Sequence, residues 1–147
     1  MKLSTRTRYG TRAMLDLALG YGQGPVSSKE IAERQDLSQK YLENLMTTLR
    51  SAGLVRSVRG PQGGHVLAYP PDEITLRAIF EALEGTTGFV DCTGDPEICE
   101  RAADCMTQQV WARMYAAAMA VLEDITLADL VRRSGNRHNA DLAMYYI

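Results

Sequence analysis

Residues that build secreted scaffolds or catalytic centres are scarce in this chain, which has three cysteines, two histidines and one tryptophan. Three thiols cannot close an even disulfide framework. At 147 residues the chain has no need of one, because a domain of that size buries roughly 70% of its unfolded surface. No apolar run approaches the roughly 18 residues of a membrane span. The opening Met1-Lys2-Leu3-Ser4-Thr5-Arg6 lacks the apolar middle of a secretory leader, so a cytoplasmic protein with no membrane partner is expected. C-x-x-C pairs, G-x-S-x-G elbows and phosphate-cradling glycine loops are missing, and no catalytic base stands beside a cysteine. The expectation is therefore not an enzyme. Hydrophobic residues at 46% and charged residues at 23% exclude global disorder.

A formal net charge of −2 conceals a division. Residues 1–69 hold ten Lys and Arg against five acids, and residues 70–147 hold six Arg against thirteen acids. A surplus of five positive charges thus precedes a surplus of seven negative ones. A basic first half points to a polyanionic partner there. An imbalance without consequence is the competing reading.

The chain opens with a helical pattern that Ser4 or Thr5 can cap and that Gly20, Gly22, Gly24 and Pro25 end. Ser27-Ser28-Lys29-Glu30 is a capping box opening a short second helix. Ser38 caps a third helix over 39–52, in which Leu42, Leu45, Met46 and Leu49 share one face and Gln39, Lys40, Glu43, Asn44, Thr47 and Arg50 are polar. Gly53 is placed to end it. The period then changes to two in 54–58 and 65–69, around the turn-rich Arg59-Gly60-Pro61-Gln62-Gly63-Gly64. Helix, short helix, tight turn, amphipathic helix and hairpin in that order describe a winged helix-turn-helix. In that motif the second helix of the pair enters the DNA major groove. Lys40, Arg50, Arg56 and Arg59 fall on the elements that would face phosphate.

After Pro70-Pro71 a helix is expected from Thr75 to Glu84, and a long one from Met106 to about Glu123. The long helix is apolar over a wide arc, through Val110-Met114-Ala117-Val121 and Trp111-Tyr115-Ala118-Leu122. A chain this small has little core left to cover that arc, which predicts packing against a second copy; an intramolecular core helix is the alternative. A last helix from Thr126 through Arg133 and a loose tail from Gly135 complete the pattern. The fold class expected is mainly α with a small β-hairpin. It divides into a winged helix-turn-helix (1–70), a cysteine loop with dimerisation helices (71–134) and a flexible tail (135–147).

Cys92, Cys99 and Cys105 occupy one loop at C-x6-C-x5-C spacing, which fits neither zinc ribbons nor thioredoxin-like pairs. Soft thiolates from a flexible loop suit an iron–sulfur cluster, which tolerates irregular spacing. A redox pair with a spare thiol, or no special role, are the other readings. His65 at the end of the hairpin is expected to meet backbone or phosphate rather than metal, and His138 has no assigned role.

Several stretches resemble the IscR- and NsrR-type regulators of the Rrf2 (BadM/Rrf) superfamily. They are Met1-Lys2-Leu3-Ser4 with Arg8-Tyr9-Gly10, Ser38-x-x-Tyr41-Leu42-Glu43-x-Leu45, Gly53-Leu54-Val55-x-Ser57-Val58-Arg59-Gly60-Pro61-x-Gly63-Gly64, and Cys105-Met106-Thr107-x-x-x-Trp111. The similarity runs from residue 1 to about 132. It implies a homodimeric cytoplasmic transcription factor, a repressor among the expectations, that binds double-stranded operator DNA under control of an iron–sulfur cluster. The alternative is a clusterless regulator answering to a protein or metabolite. The resemblance puts Ser28, Ser38, Gln39, Lys40, Tyr41, Glu43 and Arg50 near DNA, with Arg59, Gly60, Gly63 and Gly64 approaching the minor groove. Glu43 can accept from cytosine N4. It implies Cys92, Cys99 and Cys105 as ligands of a 2Fe–2S or 4Fe–4S cluster. The histidine of IscR-type proteins three residues past the third cysteine is Gln108 here, so a histidine-ligated site does not carry over. Asp91, Glu97, Glu100, Asp104 or a small molecule are the candidates for the fourth position.

Overall fold

The computed structural model describes residues 3–85 and 88–144. Helix α1 (Thr5–Leu19) is capped by Ser4, whose hydroxyl accepts from the Thr7 N–H. Helix α2 (Ser28–Gln35) begins with the full reciprocal box of Ser27 and Glu30. It ends at Asp36, which adopts a left-handed conformation with φ 54°. Ser38 caps α3 (Gln39–Ser51) by accepting from the Tyr41 N–H, so only three residues, Asp36, Leu37 and Ser38, lie between the helices of the pair. Gly53 follows α3 with φ 78°, in the conformation glycine adopts at least cost.

Strands β1 (Val55–Val58) and β2 (Gly64–Leu67) pair antiparallel, Val55 opposite Leu67 and Val58 opposite Gly64. The strands are shorter at one end than the period predicts: Ala68 still donates to the Leu54 carbonyl, but Tyr69 is exposed beyond the ladder. A bridge between Val26 and His65 seats the hairpin on the segment that leads into α2. Gly64 permits that seating, because a Cβ there would lie 2.3 Å from the Val26 carbonyl oxygen.

Helix α4 (Leu76–Glu84), capped by Thr75, packs on α1. The approach is close enough that a Cβ on Gly10 would meet Leu83 at 2.4 Å. Three short 3-10 turns, at Asp91–Thr93, Pro96–Ile98 and Ala102–Asp104, fill the loop that has no sequence period. Helices α5 (Met106–Glu123) and α6 (Leu127–Met144) close the chain. Thr75 and Thr126 pair across the starts of α4 and α6.

One core joins these parts. Met14 and Leu17 of α1, Ile31 of α2, Leu42, Leu45, Met46 and Leu49 of α3, Val55, Leu67, Ile79 and Leu127 all belong to it. Most of the core thus lies in the first half of the chain, and it fixes α3 and the hairpin relative to α1.

The end of α6 corrects the sequence expectation. The helix runs to Met144 rather than stopping at Arg133, and the end of the expected tail, 145–147, lies outside the described residues. Gly135 is the only helix-breaking residue in the stretch, and one interior glycine costs about 1 kcal/mol relative to alanine. Between Arg133 and Met144 no proline interrupts the helix. Among the described residues no helix is long and apolar enough to cross a membrane.

Candidate nucleic-acid interface and cysteine loop

The face of α3 opposite the core is polar and exposed: Gln39, Lys40, Glu43, Thr47 and Arg50 all reach solvent, while Leu42 and Leu49 are fully buried. Because the same helix supplies both faces, burial of its apolar stripe fixes the azimuth of the polar one. The Gln39 amide donates to Glu43 at 3.0 Å, holding the carboxylate one turn along. Arg50 reaches from α3 to Ser57 of β1 at 3.1 Å. A concavity of about 650 Å³ lies at that junction, lined by Arg50, Arg56, Ser57, Arg59 and Tyr69 among others.

The positive charges of this half are unevenly engaged. Lys29 pairs with Glu33, and Arg34 grips the buried Asp16 at 2.7 Å. Arg6, Arg8, Arg12, Lys40, Arg50, Arg56 and Arg59 have no ion-pair partner among the described residues. A surface that leaves so many cations unneutralised on adjacent elements is suited to a polyanion.

The site residues expected from sequence fall into three groups. Gln39, Lys40, Glu43, Arg50 and Arg59 are exposed on α3 and the hairpin, and Gly60 stands at the exposed turn with φ 120°. Ser38 and half-buried Tyr41 form the first turn of α3, where the Ser38 hydroxyl already serves as the cap. Ser28, Gly63 and Gly64 have internal duties. The Ser28 hydroxyl lies 2.8 Å from Nε2 of His65, and a Cβ on Gly63 would lie 2.2 Å from the Val58 carbonyl oxygen. The two glycines are therefore required for closing and docking the hairpin whether or not DNA is near.

His65 is a structural residue. Its main chain exchanges hydrogen bonds with Val26 at 2.8 and 3.0 Å, and its ring binds Ser28. Nδ1 is buried with no hydrogen-bond partner among the described residues. Burial pushes the imidazole below its ordinary value, nearby Arg50 adds to the shift, and Glu43 opposes it.

Sequence reasoning missed a further network. Asp16 of α1 accepts from Arg34 in a bidentate grip and from the Gln35 amide at 3.2 Å. Arg12 donates to the Gln35 side-chain and main-chain oxygens, each at 3.0 Å. A lone acid in an otherwise apolar and basic helix was the available signal.

In the acidic half, Cys92, Cys99 and Cys105 are free thiols, each half-buried. Cys105 forms the N-terminal boundary of α5, and its sulfur lies 3.2 Å from the Thr107 hydroxyl. That hydroxyl, with the Gln108 main chain behind it, holds the thiol below its ordinary value. The Gln108 amide donates to the Cys92 carbonyl at 3.2 Å, so the residue at the histidine position pins the loop to α5. The donor chemistry fits a cluster, since thiolates are its natural ligands. The arrangement does not: no three Cys, His, Asp or Glu side chains are gathered closely enough for a metal among the described residues. Phe89 stacks edge-on against Tyr115 of α5 at 5.2 Å. Along α5 only Met119 is fully buried, and Met106, Val110, Trp111, Met114 and Val121 are 40–74% exposed.

Comparison with known proteins places this geometry. Residues 3–133 match the model of the Rrf2 family, described as "Iron-dependent Transcriptional regulator". The chain is similar to Protein rrf2 of Nitratidesulfovibrio vulgaris, 43% identical over 90% of this chain and 88% of that one. It is 42% identical to the regulator CymR of Bacillus subtilis over the full length of both. The solved structure of that CymR, described as the global cysteine regulator, superposes with a TM-score of 0.75 over 90% of this chain and 98% of its own. T. potens IscR gives the same TM-score at 44% identity, over 91% of this chain and 88% of its own.

Proposed function

Because the chain belongs to the Rrf2 family of transcriptional regulators, we propose that it is a cytoplasmic homodimer that reads operator DNA with α3 and its hairpin and is controlled through the cysteine loop. The observation that carries the DNA assignment is the exposed polar face of α3 flanked by Arg50, Arg56 and Arg59, which have no ion-pair partner among the described residues. In this reading Lys40 and Arg50 neutralise phosphate, Glu43 selects against a base lacking an amino donor, and Arg59 enters the minor groove. The wing glycines let the backbone approach. Residues 1–70 are the reading unit and residues 71–134 the sensing and dimerising unit. The dimer forms through the uncovered apolar face of α5, because isolated exposed apolar residues are ordinary whereas a continuous row of them marks an interface.

The sensing element is the loop that carries Cys92, Cys99 and Cys105, with an iron–sulfur cluster as its cofactor. Three thiols in one loop and the iron-dependent description of the family support this. When bound, such a cluster would supply a state that responds to iron, oxidant or nitric oxide. The second reading is a clusterless regulator acting through a partner or metabolite. The dispersed thiols and the full-length similarity to CymR favour it.

Anaerobic purification after iron-replete growth separates the two. Absorption between about 320 and 420 nm with matching iron and sulfide supports the cluster, and a colourless dimer that binds DNA supports the alternative. For the DNA assignment, Arg59→Ala is expected to weaken duplex binding and flatten its salt dependence by about one phosphate's worth. An unchanged titration would remove the hairpin from the interface.

A further inference from the structure

The cations of α1 are not among the residues that reading employs. Helix α1 carries Arg6, Arg8 and Arg12 and a single acid, Asp16, which is buried under Arg34. Arg6 donates to the Thr48 hydroxyl at 2.9 Å, and Thr48 borders the exposed face of α3 next to Asn44 and Thr47. Glu84 is near Arg6 but forms no ion pair with it; it accepts from Ser4 and Thr7 instead. Tyr9 meets Tyr41 of α3 edge-on at 6.2 Å. The guanidinium carbons of Arg8 and Arg12 lie 5.8 and 5.5 Å from the centre of the Tyr9 ring. Arg12 also spends its Nε and Nη2 donors on Gln35, at the corner between α2 and α3.

Arg6 and Arg12 are thus held along α1 by contacts to α3 and α2, and Arg8 lies beside them against the Tyr9 ring of α1 itself, whose edge meets Tyr41 of α3. The side of α3 opposite the hairpin is flanked by cations just as the hairpin side is. We propose that the N-terminal half of α1 is a second phosphate-binding element, with Arg6, Arg8 and Arg12 contacting the DNA backbone beside the segment read by α3. The proposal rests on the assignment of α3 and the hairpin to DNA. It extends the contacted backbone to a side of the motif that sequence pattern alone does not identify.

The test uses the full-length protein and a labelled mixed-sequence duplex of about three helical turns, titrated by fluorescence anisotropy over a salt series. Arg6→Gln and Arg8→Gln should each leave the melting temperature unchanged, since exposed contacts of this kind contribute little to folding. Each should weaken duplex binding about three- to tenfold at low salt and make the slope of log K against log salt shallower by about 0.9. Arg59→Gln is the reference. If it flattens the slope and the α1 variants do not, α1 lies off the DNA and the proposal falls while the hairpin assignment stands. If none of the three changes the slope, the DNA assignment itself fails. If the α1 variants weaken the dimer in sedimentation without altering the slope, these cations serve a protein contact and the proposal is likewise overturned.

Discussion

Helices α3 and α5 are both amphipathic in sequence, yet they end in opposite situations. Leu42, Leu45, Met46 and Leu49 of α3 are all buried, and what remains outside is polar. Of α5 only Met119 is fully buried, and Val110, Trp111, Met114 and Val121 stay in solvent. The first half of the chain buries its apolar residues in a core that α4 and the start of α6 help to close, and it exposes a surface suited to a charged partner. The second half leaves an apolar surface unfinished, which suits another copy of itself. Stability and assembly are therefore expected to respond to different residues.

Four substitutions sharpen that contrast. The largest effect should come from Leu45→Ala, which opens a cavity in the shared core and should cost about 2–5 kcal/mol in denaturant unfolding. A much smaller loss would mean that α3 is not anchored as described. Trp111→Ser should leave the fold intact and weaken the dimer about 30-fold or more, the scale of an interface hot spot of at least ~2 kcal/mol. A monomer–dimer equilibrium unchanged in sedimentation would place the interface elsewhere.

Asp16→Asn tests the buried pair. Its carboxylate side chain is 8% exposed but Arg34 is 49% exposed, so water can recover the stranded guanidinium. The expected cost is about 1–2 kcal/mol, below the ~3–5 kcal/mol of a fully buried pair. A change in melting temperature within error would show the network to be incidental.

The smallest effect is a pH dependence from His65. Its folded pKa lies below the unfolded value of about 6.5, so on acidification the unfolded chain takes up the proton first. The stability held by the neutral ring is complete above about pH 6.5 and falls as the pH drops through that value. His65→Gln should remove this component from the pH profile of unfolding. An identical profile would assign the acid sensitivity to other groups.

Much of the first half was legible because its signals are local. Ser27 with Glu30, Ser38 and Thr75 announce helix starts within four residues, Gly53 marks an end, and the change of period from helical to two marks the hairpin. The polar face of α3 follows from the same spacing. What remained hidden depends on partners distant in sequence: Asp16 with Arg34 and Gln35, Ser28 with His65, and Arg6 with Thr48. No period brings such pairs together; only the packing of α1 against α2 and α3 does. The cysteine loop was legible in composition but not in shape, because short 3-10 turns leave no repeat, and Gln108 on the Cys92 carbonyl was not foreseeable. Past Gly135 the helix continues on propensities too weak to have been decisive.

The two surfaces meet in one measurement, selection of bound duplexes from a random pool followed by footprinting of the enriched sequence. A dimer joined through α5 with α3 in the major groove predicts a two-fold symmetric site. Its half-sites should lie about one helical turn, or a multiple of it, apart, with Glu43→Ala relaxing the preference at matching positions in both halves. An enriched site without symmetry, or no enrichment at all, would contradict the division into a reading half and a dimerising half.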